Sequence, residues 1–188
     1  MLNSPYFAHA DLRTFEINSI FESFKYKNWN FFKRNMEKTL VILKPSCVQR
    51  ALMGEVISRF EKKGLRLAGM KMIQLTDALL NEHYAHLKDK PYFQRVKASM
   101  EVCPVIVQCW EGIDAAKVVR NLIGVTNGRE AITGTIRGDL SISSQENIVH
   151  ASDSAESAKV ELDRFFQRDE IFDYKLSALA YLYASDEI

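Results

Sequence analysis

The order of apolar runs along this chain predicts an α+β fold, a ferredoxin-like sandwich with a four-stranded antiparallel sheet covered by helices. Three observations carry that expectation. Residues 39–43 are an unbroken β-branched and aliphatic run, strand-sized and bounded by Lys44-Pro45. Met53, Val56, Ile57 and Phe60 then recur at helical spacing. The same exchange of period repeats downstream, giving strand, helix, strand, helices, strand, helix, loop, strand, helix.

Each element has its own justification. Proline has no ladder N–H, so the first strand stops at Pro45. The helix over 53–63 turns Glu55, Arg59, Glu61 and Lys62 outward and ends at Gly64. Residues 65–75 alternate, as a half-buried strand does. Thr76 can cap a helix through Leu79, Leu80 and Tyr84 to Leu87. Pro91 opens a short helix to about Met100, since its missing N–H is harmless in a first turn. Residues 104–110 read as a strand and 113–123 as a helix ending at Gly124. Residues 125–135 are a polar connector long enough to suggest function. Residues 136–148 are expected to hold a short strand. A last helix opens at Asp153 or Ser154, Asp153 and Glu156 resembling a capping box, and its core face is Ala158, Leu162, Phe165 and Phe166.

At 188 residues, the chain can bury a core without disulfides or metals. A net charge of +1 points to no nucleic-acid or membrane partner. Cys47, Cys103 and Cys109 form no pairing framework and suit a reducing, cytoplasmic setting. No window reaches membrane-spanning length. Residues 1–35 lack a secretory leader pattern, and Asp11, Glu16 and Glu22 disfavour a transit peptide. They are expected to be an N-terminal extension, disordered or an overlong reading of the start codon, ahead of a compact domain over 36–188.

The candidate chemistry gathers late in the chain. His150 stands between a strand-like run and a helix, and imidazole can act as a nucleophile near neutral pH if a neighbour fixes its tautomer. A lone corner histidine is more often structural, but Asn147 and Arg137 lie close by in sequence. Arg137 and Arg120 could grip phosphate bidentately, with Gly134 and Gly138 letting the backbone approach a ligand. Lys44 ends a buried strand, where a point charge can be aimed into a cleft. Tyr84 and Tyr92 could hydrogen-bond a ligand or stack on a base. His83 and His86 read as a solvated helix face, since no further ligand stands at a zinc spacing. No P-loop and no dinucleotide fingerprint is present, so phosphates would be held by side chains.

From Met36 onward, about 150 residues resemble the nucleoside diphosphate kinase family. The resemblance rests on Lys44-Pro45, Arg59-Phe60-Glu61-Lys62-Lys63-Gly64, His83-Tyr84, Trp110-Glu111-Gly112, Gly134-Thr135-Ile136-Arg137-Gly138-Asp139 and Asn147-Ile148-Val149-His150-Ala151-Ser152-Asp153-Ser154. It implies ping-pong transfer of the γ-phosphate of a nucleoside triphosphate, mainly ATP, to a nucleoside diphosphate through phosphohistidine at His150. It implies Glu161 as the acid that orients the imidazole. Arg120, Thr126 and Arg137 match phosphate contacts; Lys44, Tyr84 and Asn147 match groups around the ribose and the transferred phosphate. Tyr92 and Val96 match the clamp on the base, and stacking on a π-face explains low base discrimination. Mg²⁺ is implied as cofactor, held mainly by phosphates and water rather than by the protein. The resemblance further implies a homo-oligomer, hexamer or tetramer, in the cytoplasm, with no nucleic acid required and no membrane.

The chain departs from the family at Ser46-Cys47, where Asp-Gly is usual and the turn should differ, and at Thr126-Asn127-Gly128, where Thr-Asn-Pro is common and flexibility should rise. The rivals are a non-catalytic regulatory or nucleic-acid-binding relative and a protein-histidine phosphorelay. His150, Arg137 and Lys44 argue against the first; Tyr92, Val96 and Asn147 argue against the second.

Overall fold

The structure, a computed structural model, describes residues 35–184 and 187. The expected N-terminal extension therefore lies outside the described residues, Asn35 excepted. Residues Met36–Leu182 form one compact unit.

Its sheet has the order β2-β3-β1-β4, with every neighbour antiparallel. The strands are β1 (Glu37–Leu43), β2 (Arg66–Ile73), β3 (Val105–Gly112) and β4 (Val149–Ala151). Helices α1 (Pro45–Gln49) and α2 (Met53–Lys63) follow β1; α3 (Asp77–His83) and α4 (Phe93–Glu101) follow β2. Then α5 (Ala115–Ile123) and α6 (Ile136–Leu140) follow β3, and α7 (Ala155–Phe165) follows β4. This is the expected ferredoxin-like sandwich.

Period-two alternation divides β1 between two cores. Val41 and Leu43 face one cluster with Val56, Phe60, Trp110, Val119 and Ile123, beneath α2 and α5. Leu40 and Ile42 face the other, with Leu80, Tyr84, Met100, Leu162 and Phe165, beneath α3, α4 and α7. The first is anchored by Phe60 on Trp110, ring centroids 5.2 Å apart, and the buried indole N–H donates to Gln108 Oε1 at 2.9 Å. Across the sheet, Arg66 pairs with Glu111 in register and also donates to the carbonyls of Phe172 and Tyr174, tying down the C-terminal segment.

Several expectations need correction. Pro45 does not merely stop a strand; it begins α1, with Lys44 as the extended N-cap residue. Buried Cys47 lies inside that helix and takes no positive φ, so the missing Asp-Gly leaves no strained turn. The helix from Thr76 ends at Tyr84 and continues as a 3₁₀ turn, and α4 starts at Phe93, two residues after Pro91. Residues 136–148 do not hold the strand. Thr135 accepts a hydrogen bond from Gly138 N–H, which nucleates α6 instead, and β4 is confined to three residues further on. The cap of α7 is Ser154, which accepts from Ser157 N–H; Asp153 is turned to Arg120. Nor is the loop glycine loose: a Cβ on Gly128 would lie 2.4 Å from Ser141 O.

Candidate active site

In an antiparallel pair, directly opposed residues share a face, and His150 is opposed to Ile42. Its imidazole therefore points to the side covered by α3, α4 and α7, while Val149 and Ala151 enter the opposite core. Two helices supply what it meets there. Glu161, on α7, brings Oε1 to 3.3 Å from His150 Nε2, an ion-pair distance at which the ring N–H is not yet aligned on the oxygen. Ser152 Oγ donates to the other carboxylate oxygen. Burial alone would push Glu161 up; contact with His150, then Ser152 and His83, outweighs it and holds the acid down to about 2.

From α3, His83 stands edge-on to His150, ring centroids 4.7 Å apart at 77°. The solvated face expected for His83 is thus wrong: its side chain is 1 % exposed, packed between Tyr84, Phe165 and His150. Burial, then the neighbouring charge of His150, pushes it down to about 3, so it is neutral at working pH. Helical spacing could have shown this, because Leu79, Leu80, His83 and Leu87 fall on one stripe. Tyr84 is buried beside it, its phenol pushed up first by burial and then by Glu161.

On the approach to His150 the backbone makes a three-residue turn. Val149 N–H donates to Asn147 O at 2.8 Å, and Ile148 between them is fully buried with φ 74°. A β-branched residue is strained there, by roughly 1–3 kcal/mol. The surroundings hold it: Lys44 N–H donates to Ile148 O at 2.9 Å, and Ile148 N–H to Ser46 Oγ at 3.3 Å. Arg137 then donates to three carbonyls, Asn147 at 3.3 Å, Val149 at 2.6 Å and Gly124 at 2.9 Å. Beyond the phosphate contact expected of it, Arg137 is 4 % exposed and braces the turn. Gly138, too, serves the loop: a Cβ there would lie 2.1 Å from Ile132 O.

Lys44 Nζ donates to Asn147 Oδ1 at 2.6 Å, and Asn147 Nδ2 donates to the carbonyls of Thr126 and Ser144. Burial first, and Arg137 second, bring Lys44 down to about 8 against the opposing pull of Glu146. Burial and then Arg120 bring Arg137 to about 10. Arg120 lies in the last turn of α5, 3.0 Å from Asp153. Tyr92 and Val96 stand one turn apart at the start of α4, which Gln145 ties to the same loop through Arg95 O. Arg164 and Gln145 had no sequence signal, since each acts through a contact between distant segments; Ser46 and Ser152 stood in the sequence without the roles that Ile148 and Glu161 give them.

Cations without a glycine cradle, gathered around an imidazole backed by a carboxylate, are the equipment of a phosphotransferase. Comparison with known proteins makes this specific. A sequence model of the nucleoside diphosphate kinase family matches residues 37–171. A nucleoside diphosphate kinase from Parabacteroides distasonis is 71 % identical over 152 residues, 81 % of this chain and 99 % of that protein. Nucleoside diphosphate kinase A of Rattus norvegicus is 46 % identical over 149 residues, 79 % of this chain and 98 % of that protein. Among solved structures, the Halobacterium salinarum nucleoside diphosphate kinase in complex with CDP superposes with a TM-score of 0.77 at 39 % identity. It covers 79 % of this chain and 99 % of that one. The chain belongs to the nucleoside diphosphate kinase family, whose reaction moves phosphate between nucleoside triphosphates and diphosphates.

Proposed function

We propose that this phosphotransferase works by ping-pong transfer through His150, taking the γ-phosphate of a nucleoside triphosphate, mainly ATP. The observation that carries the reading is the 3.3 Å approach of Glu161 Oε1 to His150 Nε2. A carboxylate on that side favours the proton on Nε2 and leaves the Nδ1 lone pair free. As Nδ1 forms its bond to the γ-phosphorus, the bond to the bridging oxygen breaks and the nucleoside diphosphate leaves. The imidazolium charge that develops is balanced by Glu161. A second nucleoside diphosphate then attacks phosphorus and frees Nδ1.

Lys44, Arg120 and Arg137 supply positive charge along the phosphates, with Thr126 and Asn147 fixing their position and Tyr84 walling the pocket. Tyr92 and Val96 form the base clamp, the exposed ring of Tyr92 stacking on any base. Loose, metaphosphate-like transfer asks chiefly for such positioning and charge. Mg²⁺ fits this donor set only through phosphate and water. Glu161 and Asp153 are engaged by His150 and Arg120, and imidazole is a poor ligand for so hard a cation. When bound, it would neutralise charge on the phosphates.

We further infer a homo-oligomer, hexamer or tetramer. Strand β2 is a sheet edge, and it carries exposed Met70 and Met72. The matched family region begins at residue 37, which supports residues 1–35 as an extension ahead of the catalytic domain. No helix among the described residues is long and apolar enough to cross a membrane, and Cys47 and Cys109 are free and buried; we read the protein as cytoplasmic.

The test is intact mass of purified protein after ATP and Mg²⁺ without acceptor, followed by GDP. One phosphoryl group should appear, then be lost as GTP forms, and His150→Ala should abolish both. Nucleotide binding without a phosphoenzyme would defeat the mechanism.

A further inference from the structure

The pocket behind His150 holds more than the transfer reaction uses. His83, His150 and Glu161 each present a ligand atom, all within 4.8 Å of one another. His150 Nε2 is buried and has no hydrogen-bond partner. Glu161 Oε1 is the hub, 3.3 Å from His150 Nε2 and 3.9 Å from His83 Nδ1. A tetrahedral ion with bonds of ~2.1 Å needs ligand separations of ~3.4 Å. The cluster is thus within small side-chain shifts of that geometry. Its chemistry is two imidazoles and one carboxylate, a set that suits zinc and its neighbours and disfavours magnesium. Ser152, on the far carboxylate oxygen, fixes the orientation of Glu161 as an outer partner does in metal sites.

We propose that His83, His150 and Glu161 form a binding site for a divalent transition-metal cation, with zinc the best fit, whose occupancy switches the nucleophile off. The consequence follows from proton placement. Free His150 carries its proton on Nε2, toward Glu161. Metal takes the Nε2 lone pair only if the Nε2–H bond breaks and, through solvent, an Nδ1–H bond forms. Proton count is unchanged, but the Nδ1 lone pair that would attack phosphorus is gone. This switching step rests on His150 being the phosphoryl acceptor; the binding step does not.

One cation opposes the ion. Arg164 Nη1 lies 3.4 Å from His83 Nδ1, while its Nε donates to Glu82 at 2.7 Å. It must yield that lone pair when metal enters, so removing it should tighten binding.

Calorimetric titration of the metal-stripped full chain with zinc, without nucleotide, tests the site. We expect one zinc per chain, weakened in His83→Phe by more than the ~10–100-fold that loss of an outer partner costs, and tightened in Arg164→Gln. Absence of binding, or binding unchanged in His83→Phe, overturns the site. If His83→Phe does not fold, Arg164→Gln decides alone, and unchanged or weaker binding there overturns it. In a second arm, free zinc is fixed by a chelator buffer and phosphoenzyme formation from ATP and Mg²⁺ is followed by mass. Slowing in wild type, lost in His83→Phe relative to its own metal-free rate, supports the switch. Zinc bound at the site without slowing overturns it. A metal-free wild type that forms no phosphoenzyme removes His150 as nucleophile and leaves the calorimetric result standing.

Discussion

A lysine held at about 8 is half-neutral at about pH 8, where most lysines are fully charged. The sign matters for Lys44. Its folded value lies below the ordinary 10.5, so the charge needed for phosphate is complete below about 8 and is lost as pH rises through it. In the free enzyme, kcat/KM should therefore fall above about pH 8, and Lys44→Gln should lower the whole profile and erase that limb. Glu161 has the opposite sense. Held at about 2 rather than 4.5, its carboxylate favours the folded state above pH 4.5, and this is lost as pH falls through 2. The difference corresponds to stability on the order of 3 kcal/mol, shared with His150. Urea unfolding between pH 4.5 and 2 should be steeper in pH for wild type than for Glu161→Gln. Residue identities such as these were legible as motif matches. Their settings were not, because each depends on burial and on partners far away in sequence.

Longer elements announced themselves and short ones did not. The helix over Met53–Lys63 has three turns on which apolar spacing can register, and Gly64 closes it. Five-residue α1 and α6 have scarcely more than one turn each, too little for a period. What makes them helical is local capping: Pro45 in the first turn of one, the Thr135 hydroxyl on the other. The same logic selects Ser154 over Asp153 as the start of α7. Ser154→Ala should cost about 1 kcal/mol in chemical denaturation, as lost N-caps do. Asp153→Ala should leave that cap intact and loosen Arg120 instead, appearing in nucleotide binding rather than stability. Arg137 acts at this scale also, because it braces the Ile148 turn between α6 and β4. Arg137→Lys keeps the charge but cannot serve three carbonyls at once. We expect a loss of about 1–3 kcal/mol, with slower phosphoenzyme formation because His150 immediately follows the loosened turn.

Within Met36–Leu182 the β2 edge of the sheet is where we expect another copy to dock. The order β2-β3-β1-β4 leaves β2 with one neighbour, so half of its backbone groups have no partner within the sheet. Edge strands are usually blunted by charge or proline, yet β2 carries Met70 and Met72, 51 % and 56 % exposed, with Lys71 between them drawn to Glu170. Phe172 N–H closes part of this edge by donating to Ala68 O, and the exposed methionine pair beyond it is the composition we expect of a contact between copies. The double substitution Met70→Glu, Met72→Glu places like charges opposite each other across a two-fold contact, where they repel. Sedimentation velocity should then show a smaller assembly than wild type, with the phosphoenzyme of the dissociated chain still forming. An unchanged sedimentation coefficient would remove β2 from the interface and direct the search to exposed Val125, Ile132 and Ile142 on the far loop.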